Sequence, residues 1–254
     1  MNNYSLWDSG VRRVRRIIRP WAPRRHDHDE DHPDEGVALR EVVFGANDGL
    51  VSNVALVAGI AGGTSNAEII ILGGIAGLVA GAISMGLGAY VSTKSERDFR
   101  SSEESRERWE IENLREKEID ETKKIFSEKG IEEPLLSQVV DAVTKDHERW
   151  VKIMMTEELG FPDHPPRPIF SALIIGVAFA LAAFFPVMPY LFLSGQNALI
   201  ASFAFTGAAL FAIGSWRAAL SNGNALISGL EMIILASVGV AIAFLIGRLI
   251  GIAI

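Results

Sequence analysis

Two long runs of this chain are almost free of charge, and the block between them holds nearly all of its acidity. From residue 41 to 93 the only Asp, Glu, Lys or Arg residues are Glu41, Asp48 and Glu68. From 164 to 254 they are Arg167, Arg217, Glu231 and Arg248. Residues 94–163 carry 20 of the 31 acidic and 13 of the 24 basic residues, so the formal net charge of −7 resides there and the remainder is neutral. An apolar helix of about 20 residues spans the hydrocarbon of a bilayer, and a charge inside it is costly. The pattern therefore demands a membrane unit with a water-soluble insert. The mean hydropathy of +0.24 is an average over two unlike parts. The chain has no Cys, which excludes disulfides, thiolate metal sites and cysteine nucleophiles.

Five apolar stretches have the length of a span: Val42–Gly62, Ala67–Ser92, Ile169–Leu193, Ala198–Leu220 and Ala225–Gly247. The connectors Gly63–Asn66 and Ser194–Asn197 are short and uncharged, whereas Lys and Arg concentrate in the N-terminal arm, the central block and the 217–224 connector. The positive-inside rule puts those three in the cytoplasm and the C-terminus outside. Arg248 departs from that rule and can snorkel to the interface. The expected architecture is an all-α integral membrane protein of five transmembrane helices, with a cytoplasmic acidic helical insert between the second and third. It divides into an arm (1–39), helices 1 and 2 (40–93), the acidic domain (94–165) and helices 3 to 5 (166–254).

In the arm, VRRVRRIIRP (11–20) reads as a basic amphipathic segment suited to anionic lipid, not as a secretory signal. RRHDHDEDHPDEG (24–36) reads as a solvated polar linker whose His and acidic residues could also hold a metal loosely. In the central block, Lys94–Lys129 lacks Pro and Gly and predicts a helix continuing the second span into the cytoplasm. Gly130 ends it, Pro134 opens the next helix, and a helix or helix pair runs to about Leu159, before Gly160 and FPDHPPRP.

Several residues could carry chemistry. Asp48 lies inside the first apolar stretch in FGANDGLVSN, with Asn47, Ser52 and Asn53 as further oxygen donors for a divalent cation. A shallow Asp48 capping a helix at the interface fits the same residues. Gly73, Gly77 and Gly81 make a ridge for close helix contact, with Met85 beyond it. Glu107 and Glu110 are three apart, as are Glu118 and Glu121, so each pair shares a helix face where like charges repel unless a cation bridges them. A solvated face laced with ion pairs has the same spacing, and Glu104–Arg108 and Asp120–Lys124 fit it. In MMTEE, Met154 or Met155 can share a face with Glu158, a thioether beside a carboxylate, or can be core residues beside a surface Glu. Glu231 lies in the last stretch with no basic residue until Arg248 near its end. There is no P-loop, no G-x-S-x-G elbow and no Glu-x-x-His pair, and none of the five His falls in an expected span.

REVVFGANDGLVSNVALVAG and AGAISMGLGAYVSTKSERD resemble the vacuolar iron transporter family, and the resemblance extends from about Arg40 to the C-terminus. It implies export of ferrous iron, and often manganese, from the cytosol in exchange for protons. It implies a homodimer of five-helix protomers with the ion path at the dimer interface. It also implies a cytoplasmic domain that captures metal through residues matching Glu107, Glu110, Glu118, Glu121, Met154, Met155 and Glu158. In the path the family Asp matches Asp48 and the family Met matches Met85, and we count Glu41 and Asn47 with them. Plant members carry a path Glu where this chain has Gly77, and Glu231 is a candidate for the missing carboxylate. No prosthetic group and no nucleic acid are expected. The substrates would be Fe2+ or other divalent transition metals, together with protons. The membrane would be the plasma membrane in a prokaryote or a vacuole-type membrane in a eukaryote. A metal sensor or storage adaptor without transport, and a ferroxidase, are the rival classes.

Overall fold

The computed structural model describes residues 33–162, 165–220 and 223–253. Every regular element among them is helical: α1 (Pro33–Gly63), α2 (Ala67–Asn113), α3 (Arg115–Glu128), α4 (Leu135–Thr144), α5 (His147–Glu157), α6 (Pro168–Ala183), a 3₁₀ turn at Met188–Leu191, α7 (Gly195–Leu220) and α8 (Ala225–Ala253). The basic segment 11–20 and most of the His/Asp tract lie outside the described residues. The end of that tract, from Pro33, opens α1 well ahead of the apolar run.

Four helices, α1, α2, α7 and α8, are long and apolar enough to cross a membrane. The third apolar stretch differs from the single span expected over Ile169–Leu193. Its helix α6 has 16 residues, about 24 Å at 1.5 Å per residue. Pro186 explains the stop, because it lacks an N–H and its ring cannot tolerate the carbonyl four residues back. Carbonyls left open at the break are met by buried side chains: Asn53 Nδ2 donates to Ala183 O at 2.5 Å and Ser202 Oγ donates to Pro186 O at 2.7 Å. In an apolar surround each such bond is obligatory.

Small residues set how the helices approach. Gly45 packs on Ile175 and Gly49 on Phe179, so α1 and α6 run parallel. Gly86 sits against Ala172 and Gly176, and Gly176 against Ala82, so α2 is antiparallel to α6. Gly59 meets Ala243 and Gly63 meets Gly247 and Gly251, so α1 and α8 are parallel; Gly214 on Gly229 makes α7 and α8 a hairpin. In chain order the five apolar helices thus alternate in direction. Side chains such as Leu72, Leu87 and Val91 of α2 point outward and are more than half exposed, as a lipid-facing surface requires. The tightest contact predicts a large effect. A Cβ on Gly247 would stand 1.7 Å from the Gly59 carbonyl oxygen, which is backbone and cannot rotate away. Gly247→Ala is therefore expected to push α8 off α1 and cost about 3 kcal/mol or more, read as a lowered unfolding temperature in detergent.

Beyond the apolar part, α2 continues unbroken to Asn113, 47 residues in all and about 70 Å long. The uninterrupted helix expected over Lys94–Lys129 is in fact broken at Leu114. Asn113 Nδ2 donates to the Trp109 carbonyl at 2.8 Å, competing for the acceptor of its own turn, and Leu114 leaves helical geometry at φ −124°, ψ 34°. The break lets α3 turn away from the line of α2. Gly130, in the left-handed region at φ +87°, ends α3, while the Ile131 N–H reaches back to Phe126 O at 3.2 Å. Asp146 caps α5 by accepting from the Arg149 N–H at 3.0 Å. The end of α2 and helices α4 and α5 share a core of Ile111, Val143, Trp150, Val151, Met154 and Met155, with Ile119, Ile125 and Phe126 of α3 packed against it. The Arg115 guanidinium lies 5.0 Å from the Trp150 ring centroid.

Candidate metal site and membrane path

The break at Leu114 decides what the acidic helices can do. It brings the inner face of α2 near the first turn of α3 and the end of α5. Carboxylate oxygens of Glu107, Glu118 and Glu158 then lie within 4.8 Å of one another. Glu107 is 4% exposed and Glu118 is fully buried, while Glu158 closes the cluster from the solvent side. Glu107 Oε1 and both carboxylate oxygens of Glu118 are buried without a hydrogen-bond donor. Three carboxylates in this position repel one another, and burial denies Glu107 and Glu118 water. Oxygen donors facing a common point suit a divalent cation.

The surroundings sharpen this electrostatic frustration. Burial, followed by repulsion from Glu158, Glu118 and Glu110, pushes Glu107 up to about 8, and its proton is the one donor the pair with Glu118 can share. Glu118 is raised by burial and then by Glu121 and Glu110, and Glu158 is raised for the same reasons in the same order. Glu110 and Glu121 therefore act on the cluster through their charge. Each also pairs outward: Glu110 with Arg106 Nε at 3.3 Å, Glu121 with Lys117 Nζ at 3.2 Å.

Of the seven residues expected to hold metal, three converge as carboxylates and two more border them. The methionines occupy the core. Met154 is fully buried and Met155 is 4% exposed. Thr122 joins them to the cluster: its hydroxyl accepts from Trp150 Nε1 at 2.9 Å, donates to the Glu118 carbonyl at 2.7 Å and lies 3.5 Å from Met154 Sδ. Nothing in the sequence distinguished Thr122 and Trp150 from other helix residues, because their role rests on contacts across 28 to 32 positions. The solvated-face reading holds on the outer side. Arg108 joins Glu104 at 2.8 Å and also Glu148 of α5, whose pKa it lowers by hydrogen bonding. Asp120–Lys124 is not among the ion pairs of the described residues.

A pH dependence follows. Glu107 holds its proton more tightly in the fold, to about pH 8, than its ordinary value of 4.5. Its stabilising contribution to the metal-free domain is complete below about pH 4.5 and is lost as pH rises through about 8. Thermal unfolding with chelator present is expected to shift downward across that window. A divalent cation should reverse the trend and release a proton near neutral pH, measurable by titration in buffers of different ionisation enthalpy.

The expected path residues lie along α1, α2 and α8. Asp48 is half-buried, and its backbone carbonyl accepts from Ser52 Oγ at 2.5 Å. Glu41 is 8% exposed and shares a cleft of about 480 Å³ with Met85, Ser84 and Glu96 near the point where α2 leaves its apolar stretch. Asn47 is half-buried one residue before Asp48. The glycine ridge of α2 is a packing surface: Gly73 faces Ile60, Gly77 faces Leu56 and Gly81 faces Phe179. A Cβ at Gly77 would stand 2.2 Å from Leu56 Cδ2 and 3.0 Å from Asn53 Oδ1, so a larger residue there must displace Leu56. Met232 and Ala236 of α8 share one apolar cluster with Ala46 and Leu50 of α1, which puts Glu231 near that level of the bundle. Its side chain is 58% exposed and lies 3.9 Å from Arg217, the basic partner missing from its own helix.

A profile of the VIT family matches residues 39–248. "Vacuolar iron transporter 1" of Arabidopsis thaliana is 36% identical over 226 residues, covering 88% of this chain and 90% of that protein. The protein of the same name from Oryza sativa subsp. japonica is 35% identical over 222 residues, covering 86% and 88%. A "Vacuolar iron transporter" of Toxoplasma gondii is 34% identical over 192 residues, covering 74% of this chain and 64% of that protein.

Proposed function

The chain belongs to the VIT family, and from that premise we propose that it exports ferrous iron, with manganese and other divalent transition metals as alternative substrates, from the cytosol in exchange for protons. The observation that carries this reading is the convergence of Glu107, Glu118 and Glu158, two of them buried without a donor. A site that repels itself when empty gains most from a cation. Oxygen donors of this kind accept hard and borderline divalent cations alike, so the choice among metals is left to the transport assay below.

In this reading α1, α2, α6 with its 3₁₀ extension, α7 and α8 form five spans. The alternating helix directions support that count. Two protomers form a homodimer, and the cation passes between them along α1 and α2, meeting Asp48, Met85, Asn47 and Glu41. Metal arriving at a carboxylate in a low-dielectric path displaces its proton, which supplies the exchange. The membrane is the plasma membrane in a prokaryotic cell and a vacuole-type membrane in a eukaryotic one. The deciding experiment is metal uptake into proteoliposomes under an imposed pH gradient with competing metals. Metal binding without flux would assign the chain instead to a tethered sensor or storage adaptor. Oxygen consumption with ferrous iron would bring back an enzyme.

With Gly77 in the path, proton coupling needs another carboxylate, and we assign it to Glu231, near the level of Ala46 and Leu50. Glu231→Gln is expected to flatten the dependence of flux on the pH gradient while leaving domain metal binding intact. A variant whose flux follows pH as the wild type does removes Glu231 from the scheme.

A further inference from the structure

We propose that a cleft at the junction of α2 and α6 binds the headgroup of an anionic phospholipid. Cations flanking a span are an ordinary topological signal, but here three of them, from two antiparallel helices, converge on one cavity of about 560 Å³. Lys94 and Arg97 come from the point where α2 leaves its apolar stretch, and Arg167 immediately precedes α6. All three are exposed, and none is engaged in an ion pair among the described residues. Asp98 is the one carboxylate in the lining, so the cleft keeps a net charge of +2.

The apolar half of the cavity matches the rest of a lipid. Ile169, Phe170 and Leu173 line the same cleft and are 68%, 54% and 60% exposed. Tyr90, one turn before Lys94, also lines the cleft, and an amphipathic ring with a polar tip suits an apolar-to-polar boundary. The cleft thus passes from hydrocarbon to cation at the level where a phospholipid does the same. Basic pockets between membrane helices on the cytoplasmic side recognise anionic headgroups on this principle. Phosphatidylcholine presents a quaternary ammonium beside its phosphate, so three cations disfavour it against phosphatidylglycerol. The inference rests on α2 and α6 lying in a bilayer and is independent of what the protein transports.

The test is native mass spectrometry of the full chain in detergent, with phosphatidylglycerol or phosphatidylcholine of identical acyl chains added back. The wild type is expected to retain phosphatidylglycerol roughly tenfold to a hundredfold better. Lys94→Gln, Arg97→Gln and Arg167→Gln combined should bring that ratio close to one. The charge-conserving set Lys94→Arg, Arg97→Lys and Arg167→Lys should keep it. Lys123→Gln with Lys124→Gln, exposed and remote on α3, should leave it unchanged. Inorganic phosphate in excess should not displace the lipid. Equal retention of both lipids by the wild type, or a preference that survives the triple Gln variant, overturns the proposal. Displacement by inorganic phosphate also overturns it, and makes the cleft a site for the free anion.

Discussion

Replacing Glu118 by Leu is expected to stabilise the metal-free protein and to abolish the metal binding proposed for its carboxylate cluster in the same step. The carboxylate is fully buried, no donor other than the Glu107 proton is available to it, and Glu121 and Glu110 repel it. Apolar replacement removes the cost of burying a carboxylate without a cationic partner, and exchanges of buried charged groups for apolar side chains of similar volume stabilise folds by up to about 4 kcal/mol. The same change deletes one of three converging ligands, so metal affinity should fall by at least about tenfold to a hundredfold. The opposite signs make the result diagnostic. Thermal unfolding with chelator reads the first effect and calorimetric titration with Fe2+ or Mn2+ the second. A variant that is less stable without metal would mean that Glu118 is part of a satisfied network, and the site would lose its physical basis. Glu121→Gln provides the contrast. Its side chain is 37% exposed and already paired with Lys117, so the stability change should be small.

Asp48→Asn is expected to reduce metal flux in proteoliposomes to background while the domain binds metal with wild-type affinity. Asn keeps the size and one oxygen of the ligand but removes the charge that attracts a divalent cation and the group that can exchange a proton for it. The carboxylate lies on the middle portion of α1, where Gly45 and Gly49 let α6 approach, and no ion pair among the described residues neutralises it. An intramembrane acid without a cationic partner is maintained against a substantial cost. Flux at the wild-type level in Asp48→Asn would move the path away from α1. Lost metal binding in the domain would show instead that the variant is misfolded or that the two sites are coupled.

Much of the architecture was legible in the sequence because its causes are local. Helix propensity, the lack of charge in the apolar runs and the positions of Gly130, Pro134 and Gly160 act over a few residues, and the corresponding helices begin and end close to where those signals stand. The two differences also have local chemistry, yet it was ambiguous in one dimension. Pro186 inside an apolar run permits either a kinked span or a terminated helix. Asn53 and Ser202, 130 and 16 residues from their acceptors, supply the bonds that make termination tolerable. Asn113 in a charged helix is compatible with continuation until its side chain takes the Trp109 carbonyl.

The candidate site divides in the same way. Spacing alone put Glu107 with Glu110 and Glu118 with Glu121 on helix faces, and left metal ligands and a solvated face as competing readings. Family resemblance implied the first. Tertiary structure separated the members of each pair. Glu107 and Glu118 turn inward to meet Glu158, while Glu110 and Glu121 keep salt bridges to Arg106 and Lys117 at the rim. Composition and periodicity by themselves determined that this protein has neutral, apolar helices on either side of one acidic helical block, because hydrophobicity and propensity are properties of short segments. Which carboxylates are buried together, and so which one holds a proton to about pH 8, was decided only by the turn at Leu114 and the packing of α5 on α2, because desolvation and like-charge repulsion depend on distances between residues far apart in the chain.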